Sequence, residues 1–290
     1  MKLAFIGFGE AAQAMSRGFH CTSMPVTLSA YDVRVGQAPH GEALSAAAAA
    51  SGVRLASTPE DAVREADVVL SLVQGSVSRA AAQTVAPFLA DTQVFVDLNS
   101  TSPAAKRAVG EAIASGKGIY VEGAVMDAVT PKEHRVPILL AGPTAADTAG
   151  ALNGIGMDCE AIGGEIGQAS AVKMIRSVMM KGVEALILEA LGAAETAGVT
   201  ERILDSVNRS FAGLDWRSMA SHYLRRTHEH GARRVAEMHQ SAETLRELGL
   251  EPSMSEAIAA AIEAGHTRLN RIPYDPKAAY SALLAELVRP

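Results

Sequence analysis

The chain has 290 residues, 48% of them hydrophobic and 20% charged, with a formal net charge of −6. These are ordinary globular values, and they exclude a disordered chain, which lacks the apolar residues to fold. The acidic balance, most of it carried before residue 163, excludes the basic footprint of a nucleic-acid binder.

No apolar run approaches the roughly 20 residues that a membrane span needs. The apolar start of the chain reaches Gly7 too soon for a signal-peptide core, so the sequence reads as a cytoplasmic protein with no membrane attachment. Cys21 and Cys159 are the two cysteines. They make neither a disulfide framework nor a metal-ligand cluster, and they fit a reducing compartment.

In chain order, strands are predicted over Lys2–Ile6, Val26–Asp32, Val53–Ala56, Val68–Leu72, Gln93–Asp97, Ile119–Glu122 and Pro137–Ala141. Between them, helical spacing of apolar residues predicts helices over Ala11–Phe19, Ala43–Ser51, Pro59–Ala66, Ser78–Leu89 and Pro103–Ser115. This alternation predicts an α/β Rossmann-type domain, a parallel sheet covered by helices on both faces, over residues 1–163. After Gly163 the β signal stops, and residues 164–290 read as an all-helical domain. It opens with a near-continuous helix from Ile166 to about Ala197, on the order of 45 Å long, that joins the two. Helices follow near Glu201–Ala212, Trp216–Arg226, Ala232–Leu248, Ser253–Ala264 and Pro276–Val288. Gly249 and Gly265 read as stops, and Asp275-Pro276 as a capped start.

The first strand runs straight into Gly7-Phe8-Gly9-Glu10-Ala11-Ala12, the dinucleotide fingerprint with Ala12 in its third small position. Gly7 allows the tight turn, Gly9 lets the backbone approach a pyrophosphate, Ala12 keeps the helix close to the strand, and the helix N-terminus faces the phosphates. Asp32 ends the second strand about 25 residues beyond Gly7, where a carboxylate reads the ribose hydroxyls and repels a 2′-phosphate, which favours NAD. Arg34 can pair with a 2′-phosphate, so NADP stays open.

Two further loops leave the carboxyl edge of the sheet, where ligands bind in such folds. One carries Val73. The other, Asp97-Leu98-Asn99-Ser100-Thr101-Ser102-Pro103, is rich in short hydrogen-bonding side chains. Ser102 before Pro103 is a cap-and-first-turn pair, leaving Asn99, Ser100 and Thr101 near a ligand. On the long helix, Lys173 lies among apolar and small residues, and such surroundings favour a neutral amine. Arg176 and Ser177 follow within about one turn and can share its face. A lysine general base, an arginine for a carboxylate and a hydroxyl donor make a usable site for a small anionic substrate.

Four segments in order resemble the β-hydroxyacid dehydrogenase family, which includes 6-phosphogluconate and 3-hydroxyisobutyrate dehydrogenases. They are the glycine fingerprint, Asp97 to Pro103, Glu122-Gly123-Ala124-Val125, and Gly167 to Lys173 with Met174 after it. The resemblance implies hydride transfer between a nicotinamide and a small hydroxy acid or related alcohol, with Lys173 as general acid/base. It places Asn99, Ser100 and Thr101 near substrate or nicotinamide.

Met126, Asp127 and Ala128 stand where the family carries its carboxylate-binding Ser-Gly-Gly. A methionine cannot donate that hydrogen bond, and Asp127 repels a carboxylate. Ser177 stands in place of an asparagine, and Arg176 in place of a histidine of the phosphogluconate branch. The chain is thus similar to an atypical bacterial branch. Two alternatives stay open: an imine reductase, against which the retained Lys173 argues because relatives of that kind replace it, and a dinucleotide-binding sensor without turnover.

The second part also offers His222, Tyr223, Arg225, Arg226, His228, His230, Arg233 and Arg234, with Arg233 or Arg234 near the place of a family basic residue. His228 and His230 do not face one another on a helix, so no metal site is expected. The stretch Val183–Leu191 is apolar around most of its circumference, so it is expected to be buried and, as in similar proteins, to pair two copies into a homodimer.

Overall fold

Long runs of Val, Leu, Ile and Phe bounded by glycines and short polar turns build the first half of the chain around one sheet. A computed structural model describes residues 1–21 and 26–289. It divides the chain into two compact units, Met1–Lys173 and Met174–Pro290.

In the first unit the strands are β1 (Lys2–Ile6), β2 (Thr27–Tyr31), β3 (Val53–Leu55), β4 (Val68–Ser71), β5 (Val94–Asp97), β6 (Ile119–Val125), β7 (Pro137–Ala141) and β8 (Asp158–Gly163). They form one sheet in the order β3-β2-β1-β4-β5-β6-β7-β8. The helices are α1 (Glu10–His20), α2 (His40–Ala50), α3 (Pro59–Val63), α4 (Ser78–Val85), α5 (Pro103–Ala114) and α6 (Ala145–Asn153). Apolar cores cover both faces, one around Phe5, Phe8, Met15 and Leu140, the other around Val69, Phe95, Val109 and Ile113.

The sheet departs from the sequence-based expectation at one end. β7 runs antiparallel to β6, because the connection from Met126 to Val136 carries no crossover helix, and a parallel neighbour needs one. β8 and α6 were not predicted: β8 is an edge strand whose outward positions Asp158 and Glu160 hide its alternation. Pro87 ends α4 early, turning Ala86–Phe88 into a 3-10 turn.

The second unit is helical, with α8 (Thr200–Ser210), α9 (Trp216–Glu247), α10 (Ser253–Leu269) and α11 (Tyr280–Val288). The helix α7 (Gln168–Thr196) spans the boundary between the units. Leu188, Leu191, Leu224, Ile262 and Leu284 are among its buried core.

Three expectations here are corrected. The helices predicted over Trp216–Arg226 and Ala232–Leu248 are one continuous α9, and α10 runs past Gly265. Gly265, and Gly231 in the middle of α9, serve packing rather than termination. A Cβ on Gly231 would lie 2.3 Å from His266 Cγ, and one on Gly265 would lie 3.2 Å from Leu188 Cδ1. Asp275-Pro276 starts no helix: Asp275 Oδ1 accepts the Lys277 N–H at 2.8 Å in a turn, and α11 begins at Tyr280. Gly249, at φ +74°, does close α9.

The stretch Val183–Leu191 is not buried on every side within one chain. Ala185, Ile187, Leu188 and Leu191 face the core, whereas Leu186 is 66% exposed.

Candidate active site

The turn from β1 into α1 is shaped for a close backbone approach. Gly7 sits at φ +89°, and a Cβ there would lie 2.4 Å from the Leu72 carbonyl oxygen. Gly9 is the N-cap of α1, and no side chain caps this helix. A Cβ on Gly9 would meet nothing within 4 Å. An uncapped helix start beside open space suits an anionic group such as a pyrophosphate. Phe8 is fully buried and tilts against Phe5 with ring centroids 6.5 Å apart, so its side chain anchors the loop while its backbone stays at the turn. Ala12 is fully buried against the sheet. Ala11 is half-buried, and Glu10 is exposed, where it accepts from Thr130 Oγ1 at 2.8 Å.

Asp32 lies just past the end of β2. Its Oδ2 accepts the Phe8 N–H at 3.0 Å, and its Oδ1 accepts the Arg34 backbone N–H and Nε, both at 3.0 Å. Burial would raise the Asp32 carboxyl, but the bonds from Arg34 and Phe8 outweigh it and hold the group below the usual aspartate value. The residues present fit a dinucleotide: a glycine turn, an open helix N-terminus and a carboxylate at the end of the second strand.

The β4 and β5 loops are tied together by Asn99. Its Oδ1 accepts the Val73 N–H at 2.7 Å, and its Nδ2 donates to Asp97 Oδ1 at 2.7 Å and to Ser71 Oγ at 3.0 Å. Ser102 caps α5 by accepting the Ala105 N–H at 3.3 Å. Beside this braced loop, the hydroxyl oxygens of Ser100 and Thr101 are buried without a hydrogen-bond partner. Such groups are rare in folded proteins and mark a place where a ligand can complete the bonding.

Sequence reasoning missed a network of buried charges beneath these loops. Asp97, Lys106 and Glu122 are all fully buried. Lys106 Nζ lies 3.2 Å from Asp97 Oδ2 and donates to the carbonyls of Asp97 at 2.7 Å and Gly123 at 3.1 Å. The Tyr120 hydroxyl donates to Asp97 Oδ2 at 3.3 Å, and burial, with the two carboxylates nearby, raises its pKa well above the ordinary phenol value. Glu122 accepts the backbone N–H of Ser170 at 2.5 Å and that of Gly167, so a side chain in the middle of β6 caps the start of α7. The sequence signal was there: acidic residues close two otherwise apolar strands, and Lys106 follows a capped helix start by one turn.

Lys173 stands in the second turn of α7, half-buried beside the buried Met174. Further along the same helix Arg176 is exposed and Ser177 is buried. Met126 packs with Ala124, Ala141 and Ala169. Asp127 is exposed and forms an ion pair with Lys132 at 2.9 Å. In the second unit Arg234 Nε donates to the fully buried Glu184 at 2.9 Å, so it is a core ion pair, while Arg233 pairs with Glu237 at 3.1 Å. A His228 Nε2–H donates to the Ile272 carbonyl, 3.1 Å away.

The comparisons with known proteins agree with this geometry. A family model described as NADP oxidoreductase, coenzyme F420-dependent, matches residues 2–100, and one for a domain of unknown function, DUF1932, matches residues 194–264. A conserved hypothetical protein from Sinorhizobium meliloti 1021 is 49% identical, with 99% of this chain and 96% of that chain covered and a TM-score of 0.81. A conserved protein of unknown function, described as structurally similar to 3-hydroxyacid dehydrogenases, is 32% identical over 91% of this chain and 96% of its own, at a TM-score of 0.73. A 3-hydroxyisobutyrate dehydrogenase from Mycobacterium tuberculosis shares the fold at 20% identity, with 99% and 98% covered and a TM-score of 0.73. Imine reductases have this fold as well.

The fold is that of the NAD(P)-binding oxidoreductases. Within that class the chain belongs to the β-hydroxyacid dehydrogenase family, in a branch whose helical domain matches DUF1932.

Proposed function

We propose that this protein transfers hydride between a nicotinamide cofactor and the CH–OH carbon of a small hydroxy acid or related alcohol, with Lys173 as general acid/base. One observation carries the reading: Lys173 rises from a helix whose first turn is fastened by buried Glu122 to the same sheet edge that presents the dinucleotide loop. A bound nicotinamide supplies the hydride acceptor or donor. The chain does the rest. The Lys173 amine takes the proton of the substrate hydroxyl during oxidation and returns it during reduction. The Ser100 and Thr101 hydroxyls, which lack partners, bind substrate or nicotinamide. Asn99 holds their loop against the Val73 loop.

NAD is the proposed cofactor, because a carboxylate ends the second strand and repels a 2′-phosphate. Met126 and Asp127 do not reproduce a carboxylate-binding segment, so the anionic part of the substrate falls to Arg176 and Ser177.

The protein is proposed to act as a cytoplasmic homodimer; among the described residues no helix is long and apolar enough to cross a membrane. Support for the dimer comes from Ile175, Met179 and Leu186, which lie along one face of α7 and are 46%, 76% and 66% exposed. A second copy of the chain would cover them.

The deciding experiment is K173A assayed over a panel of hydroxy acids with NAD and NADP. Turnover should drop by about 100-fold or more, the usual worth of a general acid/base, while NADH binding is kept. Near-normal turnover in the variant would falsify the mechanism. Retained Lys173 favours alcohol over imine chemistry. Tight NADH binding with no turnover on any alcohol or carbonyl would instead indicate a sensor.

A further inference from the structure

The turn Glu133–Arg135, in the connection from β6 to β7, encloses a cavity against the end of α1. The cavity has a volume of about 470 Å³, within the range of small-molecule sites. Gly18, Lys132, Glu133, His134 and Arg135 are among its walls, all of them in the first unit. It stands at the far end of α1 from the dinucleotide turn, on the order of 15 Å along the helix from Gly9.

His134 sets this cavity apart. Its ring is 3% exposed, and neither nitrogen has a hydrogen-bond partner. Nδ1 faces Gly18, where a Cβ would lie 2.2 Å away, and Nε2 faces Gly156, where one would lie 3.4 Å away. Buried polar groups are normally paired, and leaving them unpaired is costly. A phenyl ring would pack against Phe19 in the same place without that cost. The imidazole therefore needs a partner that the described residues do not supply.

The surrounding charge says which partner. Lys132 and Arg135 are exposed at the cavity. Lys132 is paired with Asp127 at 2.9 Å, whereas no ion pair among the described residues holds the Arg135 guanidinium. Arg17 and His20 in the last turn of α1 offset the negative end of its dipole. Glu133 is the one carboxylate among the walls, and at the His134 ring the charge of Arg135 outweighs it.

We propose that this cavity binds a small oxyanion, the phosphate or carboxylate group of a metabolite, between the His134 ring and the Arg135 guanidinium. A guanidinium and an imidazolium carry only donors, and their bonds to an oxyanion are charge-assisted. The site is separate from the dinucleotide loop and does not depend on the dehydrogenase reading. Burial and Arg135 hold the empty ring neutral, against Glu133. The other elements packed on it present Phe19, Gly18 and Gly156, which carry no charge. An anion at the ring favours the imidazolium, so binding should strengthen as pH falls.

The test uses Cys21, an exposed thiol in the cavity wall, while Cys159 is buried. The rate of Cys21 alkylation by iodoacetamide is measured in the full-length protein saturated with NADH, which keeps added anions out of the dinucleotide turn. Inorganic phosphate or acetate should slow alkylation threefold or more at pH 6.5, and by less at pH 8. Sodium chloride at the same ionic strength should not slow it. Protection by phosphate alone assigns a phosphate group, by acetate alone a carboxylate, and by both an oxyanion of either kind. H134L and R135Q should each abolish the protection and leave NADH affinity within threefold. R135Q changes an exposed side chain, so the test stays decisive if H134L folds poorly. No protection by either anion, equal protection by chloride, or protection that survives R135Q would overturn the inference.

Discussion

Glu122 and Ser170 are 48 residues apart in sequence, and the carboxylate of one accepts the backbone N–H of the other at 2.5 Å, with both residues buried. A helix start exposes N–H groups with no partner of their own, and a negative charge there is favoured by the helix dipole. Here the cap comes from β6 rather than from the helix's own N-terminal residues. The first turn of α7, one turn before Lys173, is therefore held to β6 by the Glu122 carboxylate, which links stability of the fold to placement of the proposed base.

E122A should destabilise the first unit by about 1–3 kcal/mol, the cost of leaving buried N–H groups unpaired. Urea denaturation followed by far-UV circular dichroism checks the loss. Turnover should fall with it, while NADH affinity stays within threefold, since the glycine loop does not touch Glu122. Unchanged turnover in a folded E122A protein would break the link to Lys173.

Lys106 and Asp97 should be more sensitive still. K106M removes the partner of a fully buried carboxylate, and breaking such a pair costs about 3–5 kcal/mol. The denaturation midpoint reads the effect. K106M/D97N should recover part of it, because the uncompensated charge goes with its partner.

Cofactor choice should follow Asp32. Fluorescence titration of the wild type should show NADH preferred over NADPH by tenfold or more, about 1.4 kcal/mol. D32S should erase that preference by removing the carboxylate that repels a 2′-phosphate. R34A should leave NADH binding nearly unchanged and weaken NADPH further. A wild-type preference for NADPH would mean that Arg34 leaves Asp32 to take the phosphate.

His134 sets a pH dependence. Burial, with Arg135 beside it, lowers its pKa against the opposing effect of Glu133. Both ring nitrogens are buried without a partner, and the ring lies against Phe19, with centroids 4.7 Å apart. The unfolded chain, with a histidine pKa of about 6.5, takes up the proton before the folded one does. Native stability is therefore complete above about pH 6.5 and declines as pH falls through that value toward the lowered folded one. Thermal melts at pH 7.5 and 5.5 should show the decline, and H134L should narrow it.

G231A tests the packing at the point where α9 runs unbroken past Gly231. Alanine is the better helix former by about 1 kcal/mol. Its methyl group would nonetheless lie 2.3 Å from the His266 ring, which is held by a 2.8 Å hydrogen bond between Nδ1–H and the Thr227 carbonyl. Overpacking of this kind costs about 1–3 kcal/mol, so the variant should melt lower than the wild type.

By itself the sequence determined whatever depends on local pattern. The alternating strand and helix runs located β1 to β7 and the first five helices, because a buried parallel strand must be apolar along its length and its helices must show a 3.6-residue period. The turn at Gly7 was legible because a tight strand-to-helix turn demands glycine, and Ser102 because an N-cap before proline is a local motif. The resemblance of four ordered segments pointed to the family.

Only the tertiary structure decided relations between residues far apart in the chain. Gly265 reads as a helix stop because nothing local shows the neighbouring helix that needs its missing side chain. The buried partnerships of Glu122 and Lys106 escaped the sequence because their partners come from other elements. The antiparallel turn of β7 and the edge strand β8 depend on which strand lies alongside.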